Sequence, residues 1–545
     1  MSSELIPDSL RNEVLAWIED DPDPKTRDQL KGWLDSNLID EIRPCFQGFL
    51  EFGTAGLRGP LGPGPSRMNR AVVSKTAYGI SQFMAKNSLK SIVIGRDARY
   101  GSEDFTRDTA EIMCGAGFEV FVLPRPLPTP VLAYAVRKLG CDVGVMVTAS
   151  HNPPQDNGYK VYLGGVVKGI RYEGSQIIAP IDGEISAEIA KTPRLDTLKR
   201  STNWTVLPEE IVNDYVNSTA KLASSPEKLK IVYTAMHGVG KETLVKVFTA
   251  SGFDKPILVS EQAEPDPNFP TVAFPNPEEP GAIDLSLKLA REVGADLVIA
   301  NDPDADRCAV AINDSGWRML RGDEVGALLG EYLAKQTTSG KKILANSIVS
   351  SSILKKIAEA HQLPFAETLT GFKYLAKVEK LRFAYEEALG YAVDADSVND
   401  KDGISAALVI AQLAADLKRQ GRTIADFLGE IWQKYGFHGT KQISVRTKSI
   451  ADIEVIMGRL RNQLPSQIGD FKVSALDDLE KPKDDLPPTN GVRIWLDGKY
   501  RVIVRPSGTE PKIKCYIEVV TADEESALPI LDSLESEFRS LMEVA

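Results

Sequence analysis

TPVLAYAVRKLGCDVGVMVTAS, Thr129 to Ser150, is the stretch on which the fold turns. Thr129-Pro130 opens a helix with a cap and a proline at its first position, Gly140 closes it, and Asp142 to Val147 follows as a short apolar strand. Upstream, Ser91 to Gly95 and Phe118 to Leu123 read as strands of the same kind. Short apolar strands alternating with helices predict an α/β domain. The chain leaves the last strand into Thr148-Ala149-Ser150-His151-Asn152-Pro153, a polar, proline-stiffened loop carrying a hydroxyl nucleophile. We read Ser150 as a phosphorylatable serine in an exposed loop, able to pass a phosphoryl group on once it holds one.

The alternation returns twice. Leu229 to Thr234, a helix to about Ala250 and a strand at Ala295 to Ala300 form one set; a helix near Val325 to Leu333, a strand at Lys342 to Asn346 and a helix after Ser351 form the other. Three related α/β domains are expected, as an architectural repeat without residue-by-residue identity. Asp8 to Asp40 precedes them as an amphipathic helical preface, with Leu10, Val14, Trp17 and Ile18 at helical spacing. Near the C-terminus Val492 to Leu496 and Arg501 to Val504 flank Asp497-Gly498, a two-residue hairpin signal. Ile513, Cys515, Ile517 and Val519 alternate as a strand does, and Glu524 to Leu541 reads as an amphipathic helix. The fourth domain is therefore expected to be α+β, an antiparallel sheet covered by helices. The expected boundaries are 1–208, 209–321, 322–437 and 438–545.

Composition narrows the function. A chain of 545 residues exceeds the ~150 residues of a common domain several-fold. The net charge of −12 argues against a general nucleic-acid partner, which needs a basic surface. The five cysteines lack C-x-x-C spacing and read as buried thiols in a reducing compartment. No run reaches the ~20 apolar residues of a membrane span, and Met1 to Asp20 lacks the pattern of a secretory signal. A cytoplasmic location, with no membrane partner, is expected.

Chemistry concentrates in a few loops. Ser150, Asp302 and Glu386 each follow an apolar strand-like run, and in open α/β sheets binding groups collect beyond the carboxyl ends of strands. Asp302-Pro303-Asp304-Ala305-Asp306-Arg307 places three carboxylates at alternate positions, which extended backbone would turn to one side as hard ligands for Mg²⁺. Asn313 and Arg307 stand where a calcium loop of the EF-hand type wants Glu and Gly. A D-x-D phosphatase using Asp302 as nucleophile is an alternative from a different class. Glu386-Glu387-Ala388-Leu389-Gly390 is a carboxylate loop, and Arg505-Pro506-Ser507-Gly508-Thr509-Glu510, expected between two strands, offers a guanidinium, hydroxyls and close backbone donors to a phosphate dianion. His237-Gly238-Val239-Gly240-Lys241 lacks the first glycine of a nucleotide loop, Ala235 standing there, and is rejected as one. Gly53-Thr54-Ala55-Gly56-Leu57-Arg58-Gly59 follows no strand of the dinucleotide type, yet Arg58 could reach an anion from flexible backbone. His361 and His438 read as ordinary, partly buried histidines.

These residues resemble the α-D-phosphohexomutase superfamily, in its order and over nearly the whole chain. Thr148 to Pro153 is similar to its phosphoserine loop, Asp302 to Arg307 to its magnesium loop, Glu386 to Gly390 to its sugar loop and Arg505 to Glu510 to its phosphate loop. The resemblance implies three mixed α/β domains and a C-terminal α+β domain around a central cleft. It implies one Mg²⁺ per active site, held by Ser150, Asp302, Asp304 and Asp306. It also implies a sugar phosphate as substrate, with a sugar bisphosphate as intermediate and activator, in a monomer or homodimer. Arg58 and Lys160 are implied near the reacting phosphate, and Lys401 in Asn399-Asp400-Lys401-Asp402-Gly403 near the sugar or its distal phosphate. Glu386, Ala388, Arg505, Ser507, Gly508, Thr509 and Arg307 join Lys401 as substrate-binding candidates. Lys160 is the leading acid or base, ahead of His151, because a desolvated lysine near other cations can have its pKa lowered. Phe52 to Gly59, Thr370 to Lys373 and the Lys401 segment are similar to the phosphoglucomutase-2-like and phosphopentomutase branch. Tyr385 stands in place of a frequent glycine and Ala388 in place of a serine that contacts sugar hydroxyls. Glucose leads as substrate; mannose and ribose or deoxyribose follow as phosphomannomutase and phosphopentomutase readings, and a non-catalytic sugar-phosphate-binding protein is the non-enzyme alternative.

Overall fold

Three times along the chain a central strand acquires parallel neighbours on both sides, and the second neighbour turns back into an antiparallel fourth strand. In the computed structural model, which describes residues 5–53, 56–224, 227–338, 341–483, 486–506 and 512–543, the first set is built on Ser91–Arg96. Glu119–Val122 and Val143–Val147 flank it in parallel, and Asp156–Leu163 runs antiparallel to the latter. The second set repeats the order with Ile231–Thr234, Ile257–Leu258, Leu297–Ala300 and Ala309–Asn313. The third repeats it with Ile343–Ser347, Phe365–Thr368, Leu381–Glu386 and Gly390–Ala392.

This shared order places the site. In each set the turn from third to fourth strand lies beyond a carboxyl strand end, where open α/β sheets bind ligands. Those turns hold Ser150, the Asp302–Asp306 aspartates and Glu387, and each contains one non-glycine residue in left-handed backbone: Ser150 (φ 52°), Ala305 (φ 54°) and Leu389 (φ 63°). Such conformations cost energy and cluster where backbone must aim a side chain.

The chain divides into two compact units, one of Met1–Met319 with Asp394–Ala415, the other of Leu320–Val393 with Asp416–Ala545. In the first, the mixed sheet around Ser91–Arg96 is packed by the helices Arg70–Lys86, Ser102–Gly115 and Ile181–Ile189 through Val72, Ile80, Phe83, Ile112 and Ile185. The helical preface forms as Asp8–Asp20, Pro24–Asp35 and Ile39–Ile42 over its own cluster of Val14, Leu30 and Ile42. In the second, a six-stranded antiparallel sheet of Phe437–Arg446, Gln467–Ile468, Phe471–Asp478, Val492–Leu496, Tyr500–Pro506 and Lys512–Thr521 is covered by Ile450–Asn462 and Glu524–Leu541.

Three local readings are corrected. Leu496 pairs with Tyr500, so the hairpin loop is Asp497-Gly498-Lys499, three residues with left-handed Asp497 and Gly498, not two. Arg505 is not in a loop; it pairs with Lys514 inside the strand Tyr500–Pro506. Gly56–Pro60 is a strand rather than flexible backbone, because it completes the first sheet antiparallel to Asp156–Leu163. All five cysteines are free thiols, and among the described residues no helix is long and apolar enough to cross a membrane.

Candidate active site

Ser150 is held from beneath by a buried arginine. Nη2 of Arg99 donates to the carbonyls of Ser150 (2.7 Å) and Asn152 (2.6 Å), and Nη1 to those of Pro153 (2.8 Å) and Asp156 (3.2 Å). Asp97 backs the guanidinium at 3.3 Å, and Phe269 stacks over it at 4.8 Å. Five planar donors in a fixed fork suit a guanidinium to gathering several carbonyls, so a loop that would otherwise be mobile has one shape. Ser150 is accordingly buried, 3% exposed, and not the exposed loop group expected from its polar neighbours. Its Oγ donates to Oδ2 of Asp302 at 2.8 Å and lies 3.2 Å from Nδ1 of His151. Burial, then the Arg307 and Arg58 charges, push the His151 imidazole well below its ordinary pKa, which keeps the ring neutral.

Asp302, Asp304 and Asp306 converge with ligand oxygens within 4.8 Å of one another, all buried. Extended backbone is not what aligns them: they sit in a turn bent at Ala305, whose left-handed φ folds the loop so that the side chains meet. The rejected nucleotide loop supports this turn. A Cβ on Gly238 would lie 2.3 Å from Cα of Pro303, so only glycine lets the 237–240 backbone approach close enough for Val239 N–H to donate to the Pro303 carbonyl (2.8 Å).

The carboxylates are divided in a regular way. Oδ2 of Asp304 accepts from Lys160 Nζ (2.7 Å) and Thr129 Oγ1 (2.6 Å); Oδ2 of Asp306 accepts from Lys160 Nζ (2.7 Å) and lies 3.1 Å from Lys401 Nζ. Oδ1 of both is buried with no partner among the described residues. Two orphaned carboxylate oxygens beside a third carboxylate fit a hard divalent cation, since a buried polar atom without a partner is otherwise costly. Burial, with the Asp304 and Asp306 charges, raises Asp302 far above the ordinary carboxylate range. Burial would raise Asp304 too, but Lys160 outweighs it and holds Asp304 well below that range.

The second unit has its own cluster. Glu386 is buried at the end of its strand, and Glu387 Oε2 accepts from Ser347 (3.2 Å) and Ser350 (3.1 Å). Arg501 donates to the Ile348 carbonyl (3.1 Å) and also to that of Ser350, and it pairs with Glu518 (2.8 Å), fixing the segment that holds Glu387. Gly322 packs beneath: a Cβ there would lie 1.8 Å from the Glu387 carbonyl oxygen. Burial and the Glu386 and Asp323 charges push the Glu387 carboxyl up to about 7. Tyr516 lies among Glu387, Arg505 and Glu386 and is hydrogen-bonded to Arg505, which brings the Arg505 strand to the carboxylate loop.

Four consecutive domains of one family match the chain in order: phosphoglucomutase/phosphomannomutase α/β/α domains I (residues 50–192), II (210–316) and III (321–435), and the C-terminal domain (463–529). The chain belongs to the phosphoglucomutase/phosphomannomutase family of the α-D-phosphohexomutase superfamily. It is similar to a "Probable phosphomannomutase" of Haemophilus influenzae (47% identity, 87% of this chain and 98% of the relative). It is also similar to a phosphopentomutase of Mus musculus (37%; 94% and 90%) and a phosphoglucomutase of Staphylococcus epidermidis (34%; 90% and 94%). The chain is therefore a sugar-phosphate mutase, an isomerase by net reaction.

Within the first unit, Ser150, His151, Lys160, the three aspartates and Lys401 come together. Arg58 joins them through Asn152 Oδ1 (3.0 Å), because its strand pairs Arg58 with Gly158 and so turns it to the face that also carries Lys160. Arg307 closes the turn, its N–H donating to Asp302 Oδ1 (2.9 Å). Lys401 Nζ stands 3.1 Å from Asp306 Oδ2. The Lys160 pKa is raised, not lowered as expected: burial works against the ammonium, but the Asp304 and Asp306 carboxylates outweigh it. In the second unit Glu386 and Arg505 approach one cluster, and Ala388 is half-buried; Ser507, Gly508 and Thr509 lie outside the described residues. Sequence reasoning missed Arg99, Thr129 and Glu387. The charged run Arg96-Asp97-Ala98-Arg99 directly after a buried strand was the available signal for the first.

Proposed function

We propose that this mutase interconverts the 1-phosphate and 6-phosphate of a hexose, glucose foremost, through a phosphoserine at Ser150 and a sugar bisphosphate. The observation that carries the reading is the Ser150 hydroxyl 2.8 Å from Asp302, inside a carboxylate cluster with two unpartnered oxygens. In the first half-reaction the bond from Ser150 Oγ to phosphorus breaks as one forms to the sugar hydroxyl; the hydroxyl proton leaves the sugar and Oγ regains one. The second half runs in reverse with the other phosphate. Asp302, Asp304 and Asp306, with the Ser150 oxygen, would hold a Mg²⁺ ion, which would supply positive charge to the phosphoryl group in transfer.

The chain's own groups divide the remaining work. His151, with Nδ1 3.2 Å from Oγ, stands within reach to pass that proton to or from the serine. Lys160, Lys401 and Arg58 carry fixed positive charge toward the phosphoryl oxygens. Glu386 and Glu387 offer acceptors to sugar hydroxyls, and Arg505, with Ser507, Gly508 and Thr509, a clamp for the non-reacting phosphate. Domain boundaries at 208, 321 and 437 give each loop its own domain.

The related mutases carry names for mannose, pentose and glucose, and Ala388 lacks the hydroxyl of the serine that it replaces. A panel of hexose and pentose 1-phosphates, run with Mg²⁺ and trace bisphosphate, tests the sugar. The glucose pair is expected to give the highest kcat/KM; a pentose phosphate turned over faster would replace it.

A further inference from the structure

We infer that Thr129 is a positioning residue for the metal carboxylates: its hydroxyl fixes Oδ2 of Asp304 so that Oδ1 is the oxygen presented to the cation. The inference rests on the metal reading above and adds a residue on a different domain. Thr129 is fully buried at the first position of the helix Thr129–Leu139. In a helix preceded by Ser, Thr, Asp or Asn, the side chain of that residue normally satisfies a free N–H of the first turn. This helix has Pro128 at that place and no side-chain cap, and Pro130 contributes no N–H at all.

The Thr129 hydroxyl turns away from its own helix. It donates to Asp304 Oδ2 at 2.6 Å, while the Thr129 N–H donates to the Asp304 carbonyl at 2.9 Å. The two bonds grip one residue by side chain and backbone, which fixes the rotation of the carboxylate as well as its place. Lys160 shares Oδ2, so both donors crowd one oxygen of Asp304 and leave the other buried and, among the described residues, without a partner. Asp306 is treated alike, with Lys160 and Lys401 at Oδ2 and Oδ1 unpartnered. The helix N-terminus adds favourable charge beside Asp304. Partners of this kind commonly change metal affinity by about 10- to 100-fold.

The test is Mg²⁺ and Mn²⁺ affinity of the full chain, by calorimetry and by electron paramagnetic resonance, for wild type, Thr129→Val and Thr129→Ser. Valine keeps the shape and removes the hydroxyl; its affinity is expected to fall about 10-fold or more, while serine stays close to wild type. Thr129→Ala carries the same loss and replaces valine in the comparison if the valine chain does not fold. Wild-type affinity in the folded valine or alanine chain overturns the inference, as does a serine chain weakened as much as valine, which would make the effect one of packing. A wild-type chain that binds neither ion would instead overturn the metal reading itself.

Discussion

The hydroxyl of Ser150 donates a 2.8 Å hydrogen bond to Oδ2 of Asp302, a residue 152 positions further along the chain. Each stands in the turn that closes the same strand order in its own domain. The contact joins a nucleophile loop shaped by Arg99 to a carboxylate loop shaped by Ala305 and supported by Gly238. A phosphate on Ser150 would therefore form beside a cluster that has two carboxylate oxygens without a partner among the described residues.

Asp304→Asn should weaken Mg²⁺ binding by more than the ~10–100-fold that loss of an outer partner costs, because it removes a ligand charge. Lys160 retains Asp306, so the fold should survive. Calorimetric titration alongside circular dichroism checks both; undiminished affinity in a folded variant contradicts the assignment of Asp304.

Glu387 should impose a pH dependence on stability. Its folded pKa, about 7, lies above the unfolded value of ~4.3, so the folded state binds the proton more tightly. The penalty is absent below the unfolded value, grows as pH rises between the two, and is complete above about 7. It amounts to at most ~4 kcal/mol. Glu387→Gln should flatten the fall in stability between pH 5 and 8 seen in denaturant titrations. An equal fall in both chains would contradict it.

Arg99→Met should cost ~3–5 kcal/mol, since it leaves Asp97 buried without its partner and takes the guanidinium donors from four loop carbonyls. Chemical denaturation measures this. A loss under ~1 kcal/mol, the usual worth of an exposed pair, would show that the guanidinium does not hold the loop.

Much of this was legible in the sequence, for a definite reason. Apolar runs such as Val143–Val147 and Leu297–Ala300 are buried throughout and bounded by polar loops, so the strands and the loops after them declare themselves. Ser150, the aspartates and Glu386 followed from that placement. What escaped depends on contacts between distant segments. Thr129 has the appearance of a helix cap, and only the fold shows its hydroxyl at Asp304. The raised pKa of Lys160 likewise arises from two carboxylates almost 150 positions away. Ser150 looked exposed because its loop is polar, whereas Arg99 draws that polar backbone inward.

The most direct test of the central claim is transfer of a labelled phosphoryl group. Wild-type protein, freed of phosphate and given ³²P-labelled glucose 1,6-bisphosphate with Mg²⁺, should take up one label, mapped by peptide mass to Ser150, and release it to unlabelled glucose 1-phosphate or 6-phosphate; Ser150→Ala should take up none and lose turnover by at least ~1,000-fold. Label on another residue, or turnover retained in Ser150→Ala, would contradict the account.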